Sequence, residues 1–248
     1  MELAHRHQIS LRLQKFWGFA NLVWFGPLFV FLLRWIGGYR CPDRQAVRKK
    51  LEACLKANPG RPLLICANHM TMIDSMLLTR FLFEFNTFFT EFKRFPWNIP
   101  ELQNFGNNPL LRLMCYLGKC VYVERHGSIA SRKLSWAKVT WLNRQGEFVC
   151  VFPEGGRSRI GRIDRDSAVY GVGQLIQDNP NTLVLCAYLR GYTQHNFSFF
   201  PKRGERFFID IEVCDCNIMP GRRGQREITL QIFDCLEAKE KKYFAAWQ

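Results

Sequence analysis

The sequence contains no Cys-x-x-Cys pair and no cluster of histidines and cysteines, so its ten cysteines do not spell out a structural zinc site. Nor do they read as a disulfide framework, which belongs to small secreted chains. Cys66, Cys115, Cys120, Cys150 and Cys186 lie inside apolar runs, as free core thiols do, and Cys214-Asp-Cys216 is the one close pair. These features point to a reducing compartment. A Gly-x-Ser-x-Gly elbow is missing, which argues against a serine lipase. So are a phosphate-binding Gly-x4-Gly-Lys-Ser/Thr loop and a His-Glu-x-x-His zinc helix. Internal repeats and low-complexity linkers are also absent. Acidic residues are scarce: 21 Asp and Glu stand against 35 Lys and Arg, a net charge of +14. That excess calls for an anionic partner such as nucleic acid, an acidic membrane surface or a phosphate-bearing substrate. The basic residues lack the interleaved aromatic platform that single-stranded nucleic acids stack on, so nucleic acid is not expected as a partner.

What is present is apolar and aromatic. Hydrophobic residues make up 48% of the 248-residue chain, and 22 are Phe, enough for one large domain with an N-terminal appendage. The boundaries read as a basic and aromatic membrane-binding segment over residues 1–40 and a catalytic domain over 41–248. Within the first, Phe16–Leu33 carries no charge. As one helix it would reach about 27 Å, slightly short of a hydrocarbon core of roughly 30 Å. Gly26-Pro27 is expected to break it. Lys15 and Arg34 flank it on both sides, so charge does not orient a single span. No small-residue cleavage site follows, against a signal peptide. A kinked span, a pair of interfacial helices and a buried core helix all fit the run; Trp17, Trp24 and Trp35 favour the interfacial pair.

Further along, residues 41–60 read as an amphipathic helix ended by Asn58-Pro59-Gly60. Strands are expected at Pro62–Ala67, Asn86–Phe92, Cys120–Glu124, Glu147–Phe152, Thr182–Leu189 and Phe207–Val213. Helices are expected from Met72, over Leu110–Leu117, Ser128–Arg144, Ser167–Gln177 and Gln225–Lys242. Strands alternating with helices imply an α/β fold, a mixed and largely parallel sheet flanked by helices.

Two stretches carry chemistry. The first is Pro62–Thr79, where an apolar strand stops at Asn68-His69 and Asp74 enters the first turn of a helix. Five residues on one helix lie about 140° apart, so His69 and Asp74 can meet only if His69 sits in the loop. Thr71 is suited to cap a helix starting at Met72. An imidazole steadied by a carboxylate can take a proton from an attacking hydroxyl. Thr71-x-x-Asp74 is equally a capping box with a purely local role. The second stretch is Phe152-Pro-Glu-Gly-Gly-Arg-Ser-Arg159, in which paired glycines bring backbone N–H groups close to an anion and Arg157 and Arg159 add charge. Arg162 and Arg165 extend that patch; a solvated basic loop is the plainer reading.

Together, Asn-His-x4-Asp and, about eighty residues on, Phe-Pro-Glu-Gly-x-Arg-Ser make the chain similar to the glycerolipid acyltransferase family, which includes 1-acylglycerol-3-phosphate acyltransferases. The resemblance covers roughly residues 60–215. It implies an O-acyltransferase in which His69 is the base and Asp74 its partner. It also implies that Glu154, Gly155, Gly156, Arg157 and Ser158 hold a phosphorylated acceptor, with Arg125, after the Val121–Glu124 segment, on the same phosphate. The implied donor is an acyl thioester of coenzyme A or acyl carrier protein, the acceptor a lysophospholipid-type alcohol, and the setting a membrane surface facing the cytoplasm. No metal and no resident cofactor are implied. Gly118 stands seven rather than six residues before Arg125, Asp166–Gly171 lacks the family's lysine, and Leu183–Leu189 lacks its proline. These departures imply a divergent branch, including one with a non-glycerolipid acceptor. A non-catalytic membrane-surface lipid-binding protein is the competing reading.

Overall fold

The structure, a computed structural model, describes residues 3–247. The chain begins with two helices, α1 (His5–Ala20) and α2 (Leu22–Phe31), the second continuing into a wide π turn at Leu32–Ile36. Next come α3 (Arg44–Ala57), β1 (Leu63–Ala67), α4 (Asp74–Leu82), and the short α5 (Thr87–Thr90) and α6 (Leu102–Phe105). They are followed by α7 (Pro109–Leu117), α8 (Ile129–Arg144), β2 (Val149–Val151), α9 (Gly171–Asp178), β3 (Leu183–Gly191), β4 (Phe207–Val213) and α10 (Gly221–Trp247).

The four strands form one sheet in the order β2-β1-β3-β4. β1 is parallel to both neighbours, with Ile65 opposite Cys150 on one side and Leu185 on the other. β4 returns antiparallel to β3, pairing Ala187 with Ile211. β1, β2 and β3 are buried along their whole length, which is why each reads as a continuous apolar run rather than an alternating one. Their side chains alternate between two cores. Leu63, Ile65 and Ala67 pack with α3, α4 and the phenylalanines of residues 81–92; Leu64 and Cys66 pack with Val139, Leu175, Ile232 and Leu236 of α8, α9 and α10. β4 buries only one face, and its sequence alternates accordingly.

Several expectations are corrected. Asn86–Phe92 is not a strand: it forms α5 and a 3-10 turn at Phe92–Arg94, because Phe88 and Phe92, four apart, both point into the core. Cys120–Glu124 is extended but pairs only through isolated bridges, Cys120 with Asn98 and Val123 with Glu101. Pro96 and Pro100 in the facing segment have no N–H to give a regular ladder. The helix expected from Ser167 starts at Gly171. The apolar N-terminal run does divide into two helices, bent by 66°, but at Asn21 rather than at Gly26-Pro27. Pro27 lies inside α2. Gly26 tolerates the ring of Phe85, which a β-carbon there would strike at 2.0 Å. Among the described residues no single helix is long and apolar enough to cross a membrane, though this bent pair passes together.

α1 is fixed to the domain by polar contacts. Gln14 donates to the carbonyls of Tyr116 (3.1 Å) and Cys120 (2.9 Å). A β-carbon at Gly18 would stand 2.8 Å from the Leu117 carbonyl, so glycine lets α1 lie close on α7. Lys15 pairs with Glu147, which also accepts from Lys119 at 2.7 Å and from the Trp97 indole at 2.9 Å. Lys119, fully buried with φ +55°, donates further to the carbonyls of Phe92 (3.1 Å) and Phe95 (2.6 Å). This strut joins α1, the loop before β2 and the aromatic turn in one network.

Candidate active site

β1 ends in a loop that the core holds rigidly. The amide of Asn68 donates to the Leu189 carbonyl (2.9 Å) and accepts from the Leu189 N–H (2.7 Å), so it continues the β1–β3 ladder past the last strand residue. His69 follows in the loop and Asp74 opens α4, the arrangement that brings the two together. His69 Nδ1 lies 3.0 Å from Asp74 Oδ2. The helix does not start at Met72, and Thr71 is not its cap. Instead Asp74 reaches back: its Oδ2 accepts from the N–H groups of Met70 (2.6 Å) and Thr71 (2.7 Å), and its Oδ1 accepts from the Thr71 hydroxyl. Four donors in a buried pocket keep the carboxylate fixed. The contact with the Thr71 N–H is the half of a capping box that Thr71-x-x-Asp74 implied, and the Thr71 hydroxyl adds a further donor to the same carboxylate.

An ionised carboxylate can only accept, so the contact places a proton on His69 Nδ1 and leaves the lone pair on Nε2. The imidazole stacks on Phe152 (centroids 4.0 Å apart, planes at 15°), which sets its orientation. Its side chain is 17% exposed, enough for a solute to reach it.

The loop after β2 wraps the same histidine. Glu154, 3% exposed, accepts from the His69 N–H (3.0 Å) and the Asp164 N–H (3.2 Å). Burial raises its carboxyl to about 8 against the pull of those two backbone donors. Ser158 donates its N–H to the His69 carbonyl (2.8 Å), and its hydroxyl donates to the Arg162 carbonyl. Glu154 and Ser158 therefore have their polar atoms engaged within the protein and hold the histidine loop in place. Gly155 adopts φ +64°, and a β-carbon there would meet Val169 at 2.2 Å. A β-carbon at Gly156 would stand 3.3 Å from Arg125 Nη1, which extends over it. Arg125 also pairs with Glu101 at 2.9 Å. The Arg157 guanidinium lies over Phe199 (4.8 Å) and Phe197 (5.8 Å), with Nη1 buried and unpartnered.

His69, Gly155, Gly156, Arg125 and Arg157 all border one cavity of about 1550 Å³. Part of its wall is apolar, with Phe25 and Leu33 from the helix pair, Phe83 and Phe88, and Met114 from α7. The structure thus gathers His69, Asp74, Arg125, Glu154, Gly155, Gly156, Arg157 and Ser158 in one region. Sequence reasoning passed over the Phe197–Phe200 loop, whose backbone bonds the histidine loop: Ser198 N–H donates to the Met70 carbonyl, and Met72 N–H to the Phe199 carbonyl, each at 3.1 Å. The run Phe-Ser-Phe-Phe was a visible signal without a motif to explain it.

The acyltransferase family profile matches residues 40–189. The crystal structure of PlsC, the 1-acyl-sn-glycerophosphate acyltransferase of Thermotoga maritima, shares the fold: TM-score 0.51, 14% identity, covering 98% of this chain and 99% of that one. No curated protein matches the sequence significantly.

Proposed function

Since the chain belongs to the acyltransferase family, we propose that it moves an acyl group from a thioester of coenzyme A or acyl carrier protein to the hydroxyl of a lysophospholipid-type acceptor. The observation that carries this reading is the 3.0 Å contact of His69 Nδ1 with Asp74, which leaves Nε2 as a base on a large apolar cavity. His69 takes the hydroxyl proton as the oxygen attacks the thioester carbonyl, and Asp74 stabilises the imidazolium that forms. The N–H groups of Gly155 and Met72 are engaged by the carbonyls of Phe152 and Phe199. Stabilising the oxyanion therefore falls to the next N–H groups, of Gly156 and Arg157. Collapse of the intermediate expels the thiolate, which takes the proton from His69. Arg125 and Arg157 receive the acceptor's phosphate, and Glu154 and Ser158 keep the histidine loop in register.

The acyl chains lie along the phenylalanine-lined part of the cavity, which the N-terminal helices wall. Trp24 is 80% and Trp35 65% exposed on that helix pair, beside an exposed Phe16, and these side chains seat it in the cytoplasmic face of a membrane.

A thiol-release assay over a panel of acceptors tests the reading. His69→Ala is expected to lower turnover by about 10²- to 10⁴-fold while the protein still folds and melts cooperatively; near-normal turnover would refute the base. Arg157→Ala is expected to raise KM for a phosphorylated acceptor with little change in kcat. An unmoved KM removes the phosphate from Arg157.

A further inference from the structure

A second hollow, of about 420 Å³, is lined by α2 with its π turn, by the start of α3 and by the end of α4, and His69 does not border it. One half of its wall is apolar: Pro27, Phe31 and Trp35. The other half is cationic, and its three arginines come from three elements. Arg34 lies in the π turn, Arg44 begins α3 and Arg80 closes α4. None of the three makes an ion pair or a side-chain hydrogen bond among the described residues. The acid at the rim, Glu84, is paired with Arg48. Asp43, at the start of α3, is exposed and makes no capping bond. Arg34 rests on the Trp35 ring at 5.4 Å, which keeps its guanidinium beside the hollow.

Three guanidinium groups brought together without a carboxylate partner repel one another. Burial pulls the Arg80 guanidinium below its ordinary value, and the neighbouring charges of Arg44 and Arg34 add to the effect. Arg44 moreover sits at a helix N-terminus, where the backbone dipole disfavours a cation and favours an anion. An anion placed among the three removes both penalties. The apolar half then determines what kind of anion fits, because a bare phosphate would leave Phe31, Trp35 and Pro27 against water.

We infer that this hollow binds an anionic phospholipid, with its phosphate among Arg34, Arg44 and Arg80 and its acyl chains along Pro27, Phe31 and Trp35. The site is separate from the acceptor site, although Val30, Arg80 and Phe85 border both hollows. It rests on the membrane seating proposed above, and places its headgroup level at Arg34 and Trp35, the residue types found at that depth.

Cosedimentation of the full chain with vesicles of phosphatidylcholine, alone or mixed with phosphatidylglycerol, tests it. The unaltered protein is expected to prefer the mixed vesicles. Replacing Arg34, Arg44 and Arg80 together by Ala should cut that preference by roughly 100-fold, at about fivefold per cation near an anionic surface. Binding to phosphatidylcholine alone should be retained. The control carries Arg222→Ala, Arg223→Ala and Arg226→Ala on the exposed start of α10, the same loss of charge. If the control loses as much, the preference is diffuse attraction and the site is refuted. A triple variant that keeps its preference also refutes it. Should the triple variant melt early, Arg34→Ala with Arg44→Ala is expected to give a loss of about 25-fold, and replacement of all three by Lys to restore most of the preference. Inorganic phosphate raising the melting temperature of the unaltered protein but not of the variant, with no preference among vesicles, would mark a free-anion site and overturn the lipid. Failure to bind either vesicle would instead strike at the membrane seating itself.

Discussion

Glu147 precedes β2 and Glu154 follows it, and each is 3% exposed. Burial pushes both carboxyls upward, but their partners differ. Glu147 faces the ammonium of Lys119 and accepts from Lys119, Lys15 and Trp97, which together bring it below the ordinary carboxylate range. Glu154 has two backbone N–H donors and no cation, and it ends at about 8. Two glutamates at the ends of one strand thus do different work. Glu147 is a charged strut that ties the N-terminal helix to the sheet. Glu154 holds the histidine loop through main-chain contacts while adding little negative charge beside the cavity. Proximity of backbone donors alone does not offset the loss of water around a carboxylate; a buried counter-charge does.

The sharpest way to break this contrast is Lys119→Met. It leaves Glu147 buried with only Lys15 and Trp97, a loss of about 3–5 kcal/mol in urea unfolding. Adding Glu147→Gln should recover part of it, and an unchanged midpoint for Lys119→Met would mean the strut bears no load. A smaller effect separates Glu154. Its folded pKa lies above the unfolded one, so the protonated carboxyl favours the native state. That contribution is complete below pH 4.5 and disappears as pH rises through about 8. Stability should fall over that window by a few kcal/mol, one pKa unit being worth about 1.4 kcal/mol. Glu154→Gln should flatten the profile, and the same slope in the variant would place the titration elsewhere. The smallest change concerns a third buried carboxylate. Thr71→Val removes one of the four donors around Asp74, at a cost of about 1.5 kcal/mol. Activity should fall much less than for His69→Ala, because the Nδ1 contact remains.

What could be read from the residues follows the same division between local and distant causes. β1, β3, β4 and α8 were legible because their apolar patterns match their burial, strand by strand and face by face. Helix geometry allowed His69 and Asp74 to meet only with His69 in the loop, and the second motif with the family resemblance turned that possibility into a pair. Asn86–Phe92 misled, since a run of phenylalanines suits a strand and a helix equally, and only the position of the core decides. The bend at Asn21 was hidden because Gly26-Pro27 offered a stronger local signal for a break. Lys119 was unremarkable in sequence: its partner Glu147 is distant, and nothing nearby announces a buried ammonium. The grip of Glu154 and Ser158 on the histidine loop was likewise out of reach, because it depends on how two loops from different strands meet.

The 66° elbow at Asn21 has a consequence for where product goes. Its arms, Leu22–Ile36 and His5–Ala20, are each roughly 22–24 Å long at 1.5 Å per residue. Under the membrane seating proposed above, an elbow that enters and leaves through one side would deliver newly acylated lipid to a single leaflet. Evening out the two sheets of the membrane would then be the task of a separate translocation step.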